Sequence, residues 1–438
     1  MHWTSTYRSW GGFPQAGAYV HPLTWISEEL PHSELPLLAR GLGRSYGDVC
    51  LNDGGILLDT SGLNRLQHFD EQQGLLRCEA GVTLAQILDD IVPRGWFLPT
   101  SPGTQFVTVG GAIANDVHGK NHHRAGTFGC HVTQFELLRS NGKRLLCSPD
   151  SHPELFRATI GGLGLTGLIT WAEIRLRPIV HRAMYTEIIP FSNADEFFDL
   201  SQQSDSEYEY TMSWVDCSAT GDKLGRGLFM RGNHVTEENK PKKWRATSRQ
   251  FNMPIELPNW VLNRWSVQAF NSLYYHKQRG VKSAGLSDYV PFFYPLDAIL
   301  NWNRLYGKTG FLQYQFVLPM SEQKQLRAIM NYIAQTGQGS FLAVLKTFGE
   351  VVSPGLLSFP RAGFTLALDF PIHGAKTFAL LDRLDEMVID SGGVIYPAKD
   401  ARWSGRYFRR CYPQWEVLAR YRDSGFSSSF WRRVTQSA

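Results

Sequence analysis

Short apolar runs punctuated by glycine turns fill residues 36–178 of the 438-residue chain. Pro36–Ala39, Gly55–Asp59 and Leu75–Glu79 each predict a strand, from their length and the turn residues that bound them. After Gly81, Thr83 is a suitable N-cap for a helix running through Val92. Phe135–Arg139 and Lys143–Cys147 flank Asn141 and Gly142, a pair that tolerates the positive φ of a tight hairpin turn. His152–Ile160 has helical spacing, and Ile169–Leu176 alternates like a strand. Near Pro178 the texture changes to longer amphipathic stretches and further strands, Phe311–Leu318 and Phe364–Phe370. A helix-like run follows from Ala375 to Ser391, and no internal repeat or low-complexity linker interrupts the chain. The pattern predicts an α+β architecture in two parts.

Two loops place glycine where apolar residues would otherwise continue. Arg40 to Asp48 follows a predicted strand and holds Gly41, Gly43 and Gly47. Ser101 to His123 holds Gly103, then Gly110 and Gly111 ahead of the helix-compatible run Ala112–Asn115. A diphosphate needs several backbone N–H donors converging with no side chain in the way, and glycine permits that approach. Arg40 and Arg44 add positive charge, and the start of a helix after Gly111 would add its dipole. One such loop is an ordinary tight turn. Two within one βα-rich region predict a cradle for a dinucleotide. A third run, Gly162 to Gly167, fits G-x-G-x-x-G, but that fingerprint needs a strand before it and a helix after it. Here the order is reversed, which excludes the nicotinamide-dinucleotide fold. No P-loop pattern occurs either.

Composition narrows the class. The chain is too long for one ordinary core, and 43% hydrophobic with 19% charged residues is globular. A net charge of +4 does not suggest nucleic-acid binding. Six scattered cysteines (Cys50, Cys78, Cys130, Cys147, Cys217 and Cys411) form no C-x-x-C pair and read as buried thiols of a reducing compartment. With no basic start followed by an apolar run, and no stretch long enough for a membrane span, a cytoplasmic location is expected. His118, His122 and His123 lack a carboxylate or cysteine to complete a ligand set, so no metal is expected.

Three segments, 40–48, 102–114 and 154–170, resemble the vanillyl-alcohol oxidase / p-cresol methylhydroxylase superfamily of FAD enzymes. They match its split pyrophosphate loop, its P-G-T…G-G-A-I-A segment and its glycine turn after an E-L-F helix. Longer matches at 43–48, 118–123, 223–226, 231–234, 293–297, 312–316, 357–360 and 396–400 resemble the branch acting on polyprenyl-phosphate-linked pentoses. The resemblance covers nearly the whole chain. It implies an α+β fold with a p-cresol-methylhydroxylase-type FAD domain in two parts, 1–180 and 394–438, around an inserted α+β substrate domain, 181–393. It implies oxidation of a ribose 2-hydroxyl to a keto sugar, with a separate NADH-dependent short-chain reductase completing an epimerisation to the arabinose form.

It also implies residue roles. Cofactor contacts fall on Ala39, Arg40, Gly41, Leu42, Gly43, Arg44, Ser45, Tyr46, Gly47 and Asp48 in the first loop. In the second they fall on Gly103, Thr104, Thr108, Val109, Gly110, Gly111, Asn115, Asp116, Val117 and His118, joined by Ile169 and Tyr396. Substrate contacts fall on Lys120, Tyr294, Gln313, Gln315, Lys346, Thr365 and Ala367. Alcohol oxidation needs a hydride acceptor, the cofactor's part, and a group to take the hydroxyl proton. Lys399 is the first candidate for that proton, with burial needed to lower its basicity, and His118 and Tyr46 stand beside it. The competing readings of Lys399 are a charged lysine that polarises the hydroxyl or the reduced flavin, and a surface lysine paired with Asp400. Many relatives tether FAD through a histidine where this chain has Arg44, so FAD is expected to be held non-covalently. Where the family has a cysteine this chain has Ala367, which offers no thiol to an electrophilic ligand, and Thr365 replaces an asparagine.

Two surface features remain. Pro258–Tyr275 carries aromatics at helical spacing near Lys240, Lys242, Lys243, Arg245 and Arg249, as core packing or as an interfacial helix touching anionic lipid. From Arg402 to Arg433 eight arginines face only Glu416 and Asp423, which predicts a solvated helix face first and phosphate or lipid contact second. A soluble aldonolactone or free-sugar oxidase and a non-catalytic flavin scaffold are the alternative functions.

Overall fold

The first glycine loop departs from a small parallel sheet. Leu37–Arg40 and Ala18–Pro22 both pair in parallel with Ile56–Asp59, and His2–Thr4 closes the outer edge antiparallel. This computed structural model describes residues 1–244, 250–258, 260–278 and 283–436. Arg245 and Arg249, named above, and Asn259 within the stretch Pro258–Tyr275 lie outside the described residues.

A five-stranded antiparallel sheet follows, in the order Leu66–Asp70, Leu75–Glu79, Leu168–Arg175, Val132–Leu138 and Arg144–Cys147. Against it packs helix Leu84–Ile91, started by Thr83, whose hydroxyl accepts from Gln86 N while the Gln86 side chain accepts from Thr83 N. This capping box satisfies two otherwise orphaned donors. The helix buries Leu84, Ile87, Leu88 and Ile91, one stripe at i, i+3, i+4 and i+7. The predicted hairpin, the helix Pro153–Thr159 and the strand after it all form.

An eight-stranded sheet runs in the order Ser283–Asp288, Ala183–Phe191, Gly227–His234, Tyr210–Val215, Ala343–Phe348, Gly363–Pro371, Phe311–Leu318 and Val394–Ile395. Its pairings are antiparallel throughout. Helices Gln323–Thr336 and Ala375–Asp390 contribute Leu326, Ile329, Ile333, Leu380, Leu384 and Val388 to a core shared with Leu312, Phe316, Leu366 and Leu368. Because side chains alternate across a strand, Gln313, Gln315, Ala367 and Asp369 belong to the opposite face.

The chain end returns to its beginning. Leu37 N donates to Gly425 O and Ser427 N to Leu37 O, while the Arg433 guanidinium joins Asp48 and Asp400. The arginine-rich tail therefore departs in part from the solvated face expected of it, since Arg406, Arg410 and Arg420 are exposed but others are tied into the fold. Arg402 bridges Asp382 and Asp385, Arg432 donates to Asn52 Oδ1, and Arg422 donates to Phe426 O. Cys78, Cys147, Cys217 and Cys411 are buried as expected, whereas Cys50 and Cys130 are only partly so. No helix among the described residues is long and apolar enough to cross a membrane.

Candidate active site

Both glycine loops open onto one cavity of about 560 Å³. Of the first loop, Ala39 to Tyr46 line it without a break. Gly43 turns the chain at φ +61°, a conformation that disfavours a Cβ. A Cβ on Gly41 would collide with the Thr108 hydroxyl, so the two loops interlock through a missing side chain. Gly47 and Asp48 leave the cavity wall. A Cβ on Gly47 would fall on the carbonyl of Asp400, and the Asp48 carboxylate is held by Arg433 at 2.7 and 2.9 Å.

In the second loop Thr108 caps helix Val109–Ala114, its hydroxyl accepting from Gly111 N at 3.2 Å. Gly110 and Gly111 thus lie within the first helical turn, not ahead of it, because a threonine is the better cap. Gly103, Thr104, Thr108, Gly110, Gly111, Asn115, Val117 and His118 line the cavity, as do Ile169 and Tyr396. Val109 turns into the core instead. Asp116 also faces inward, its carboxylate accepting from Gly129 N, Ser353 and Ser358. A Cβ on Gly103 would meet no protein atom within 4 Å and would stand in the cavity. Arg40 Nε and Asn115 Oδ1 are buried with no hydrogen-bond partner. A diphosphate dinucleotide fits these features: open backbone, orphaned polar atoms, and Arg40 and Arg44 as charge.

The opposite wall is the free face of the eight-stranded sheet. Gln313, Gln315, Val344, Lys346 and Ala367 line the cavity, joined by Lys399 from the turn Pro397–Lys399. The register pairs Gln313 with Asp369, Gln315 with Ala367 and Lys346 with Thr365. Three expected substrate residues are absent from the cavity lining. Lys120 donates to Phe293 O at 3.3 Å, Tyr294 shares a 2.6 Å hydrogen bond with Ser101, and Thr365 bonds the Gln315 amide at 3.2 Å. Each is buried and bonded to a protein partner, and of the three Thr365 holds a wall residue, Gln315.

The remaining groups converge. His118 Nδ1 lies 3.2 Å from Lys346 Nζ, which also donates to Gly119 O at 3.0 Å, and His118 Nε2 lies 3.2 Å from the Gln315 amide. Burial and the Lys346 charge hold His118 well below the usual imidazole range, so it is neutral at pH 7. Burial also lowers Lys346, to about 7, with Lys120 and Lys399 repelling its charge. Lys399 is buried too, its Nζ 3.8 Å from the centre of the Tyr46 ring. Desolvation lowers it to about 7, and the Asp369 carboxylate opposes that drop. Asp369, itself raised by burial, accepts from Gln313 Nε2 at 2.5 Å. The surface pairing with Asp400 fails, since Asp400 belongs to Arg433. A buried base, a neutral imidazole and two amides on one wall can hold a sugar and take a proton from its hydroxyl.

Cavity residues to which no role was assigned include Trp10, Leu163, Gly164, Asp297 and Trp302. The rejected G-x-G-x-x-G run supplies Leu163, Gly164 and Gly167, all with positive φ, so its glycines shape the same cavity from a different fold. Trp10 carried no local signal, and Asp297 stood inside the 293–297 match without a role. Arg44, in the expected tether position, stacks on Trp10 at 4.1 Å.

An FAD-binding domain family matches residues 26–148. Decaprenylphosphoryl-beta-D-ribose oxidase of Mycolicibacterium smegmatis is 38% identical over 91% of this chain and 89% of its own length. An uncharacterised protein in the mprA 5′ region of Streptomyces coelicolor is 31% identical, over 81% of this chain and all of its own. A putative D-arabinono-1,4-lactone oxidase of Neurospora crassa is 30% identical over only 34% of this chain and 26% of its own.

Proposed function

The chain belongs to the decaprenylphosphoryl-β-D-ribose oxidase family of FAD-dependent oxidoreductases, and we propose that it oxidises the 2-hydroxyl of a polyprenyl-phosphate-linked ribose to a ketone. The observation that carries this reading is the cavity itself, where a nucleotide cradle on one wall faces Lys399, His118, Gln315 and Lys346 on the other. The lactone-oxidase alternative rests on a match to 34% of the chain, which stops short of that second wall's full set.

Ala39 to Tyr46, Gly103, Thr108, Gly110 and Gly111 would hold FAD, with Arg40 and Arg44 facing its diphosphate. When bound, FAD supplies the hydride acceptor. Arg44 cannot form the histidyl tether, so attachment is non-covalent. Lys399 accepts the hydroxyl proton at Nζ, which its lowered basicity leaves free to do near pH 7. A neutral imidazole has one donor and one acceptor. Gln315 Nε2 donates to His118 Nε2, so the imidazole proton sits on Nδ1, beside Lys346 Nζ and Gly119 O. Thr365 Oγ1 accepts from the same amide nitrogen at 3.2 Å and holds Gln315 at the wall for the sugar. Asp369 fixes Gln313 for the same purpose. The wall has more positive than negative charge, which suits a phosphodiester.

The same reading divides the chain into FAD-binding parts 1–180 and 394–438 around a substrate part 181–393. It hands the ketone to an NADH-dependent reductase and brings the protein into peripheral contact with the membrane that carries its substrate. An anaerobic absorbance titration with a polyprenyl phosphoribose tests the core of it. Wild-type protein should bleach, and Lys399→Ala should bleach about 10²–10⁴-fold more slowly with its FAD retained. Equal rates would remove Lys399 from this role.

A further inference from the structure

Large apolar side chains stand in solvent along one stretch of the substrate part. Trp260 and Trp265 are each 75% exposed, Leu273 73%, Phe251 66% and Ile255 63%. The helix begins at Arg264, later than the apolar stripe implied, and runs to Gln278. Its inward row is Val267, Asn271 and Tyr275, all buried. A second row at the same spacing, Trp265, Ala269 and Leu273, faces outward. Core packing, one of the two readings of this stripe, therefore accounts for one row only. Water is a poor neighbour for the other, and exposed apolar patches of this kind mark a surface that meets something.

The position of the patch says what it meets. Phe251 and Asn252 pair in parallel with Ile299 and Leu300, and Met253 N donates to Leu300 O at 2.9 Å. Arg304 Nη1 donates to Met253 O and Pro254 O, and Leu257 N donates to Arg304 O. Leu296, Ile299, Leu300 and Trp302 line the catalytic cavity. The exposed apolar surface therefore starts at the cavity wall and continues outward. Its charge is also one-sided. Lys240 pairs with Glu237, which leaves Lys242, Lys243, Arg264 and Lys277 against Glu256 along the described residues 241–278. Tryptophans beside lysines are the composition of a surface resting in the headgroup layer of an anionic bilayer.

We propose that Phe251, Ile255, Trp260, Trp265 and Leu273 dock on the surface of an anionic lipid bilayer, bringing the cavity wall at Ile299–Leu300 against the lipid. The proposal rests on the lipid-linked substrate proposed above. It explains how the sugar could reach Lys399 while its polyprenyl chain stays in the apolar phase.

The test uses the FAD-loaded full chain and sedimentation with vesicles of phosphatidylcholine, with and without phosphatidylglycerol. Wild type should partition onto the phosphatidylglycerol vesicles and release in high salt. The variant Trp260→Ser, Trp265→Ser, Leu273→Ser should lose partitioning by about tenfold or more. Lys242→Gln with Lys243→Gln should lose the preference for anionic vesicles while keeping the aromatic contact. Flavin content and bleaching by a short-chain, water-soluble isoprenyl phosphoribose should be unchanged in both, which shows that they fold. Wild type that stays in the supernatant, or a triple variant that partitions like wild type, overturns the proposal. So does light scattering that shows a wild-type dimer and a monomeric triple variant, since a second copy would then cover the face. Vesicle binding without turnover of any phosphoribose would sink the substrate assignment and leave the docking surface standing.

Discussion

Lys399 and Asp369 are two buried groups of opposite charge whose environments push both toward neutrality. Burial lowers the lysine, and the carboxylate opposes that drop, so the proposed proton acceptor is tuned by a residue that does not touch the cavity. The consequence for pH is definite. A base must be unprotonated to act, so flavin reduction should rise with pH through a limb near 7, well below an ordinary lysine. Asp369→Asn removes the negative charge that raises Lys399, so the limb should move to lower pH. A pH profile of the reductive rate constant checks this, and a limb unmoved in Asp369→Asn would count against the coupling. Tyr46, His118, Gln315 and Lys399 were legible from motif matches, and Lys346 only from the wider resemblance. Asp369 was not, because a lone aspartate in an apolar strand has no local signature and its meaning lies in its register with Gln313.

At the scale of elements, the two cofactor loops and the Lys399 turn form one clasp. Tyr46 N donates to Ala398 O at 2.9 Å, and Gly47 lies flat against Asp400. Gly41 admits Thr108 in the same way. Gly47→Ala should therefore force either the loop or the turn to move, at a cost of about 1–3 kcal/mol. Urea unfolding would read that loss, and weaker FAD retention should accompany it, since both sides of the cavity share the contact. Strands and helices were mostly predicted from alternation and caps, as at Thr83 and Phe311–Leu318. The exposed helix Arg264–Gln278 was harder, because its two apolar rows read equally as core or surface until packing buried only one.

Across the whole molecule, Arg433 joins chain segments hundreds of residues apart. It meets Asp48 beside the first loop and Asp400 beside the catalytic turn, both nearly inaccessible. Arg433→Ala would leave two buried carboxylates short of their shared cation, and breaking such a pair costs about 3–5 kcal/mol. The expected outcome is a lower midpoint in urea and early loss of FAD. A midpoint equal to wild type would show that solvent already compensates the pair.

The glycine spacing, the caps and the strand alternation are properties of neighbours along the chain, and the sequence by itself determined them. It determined that a dinucleotide would sit on backbone amides, and it brought Lys399, His118 and Lys346 into view as chemistry. Only the tertiary structure decided which of these shares a wall with which. The reason is that desolvation, cross-strand register and ion pairing depend on residues far apart in the chain. Asp369 opposite Gln313, Arg433 between two aspartates, and an apolar row left facing water all arise only once the sheets close around the cavity.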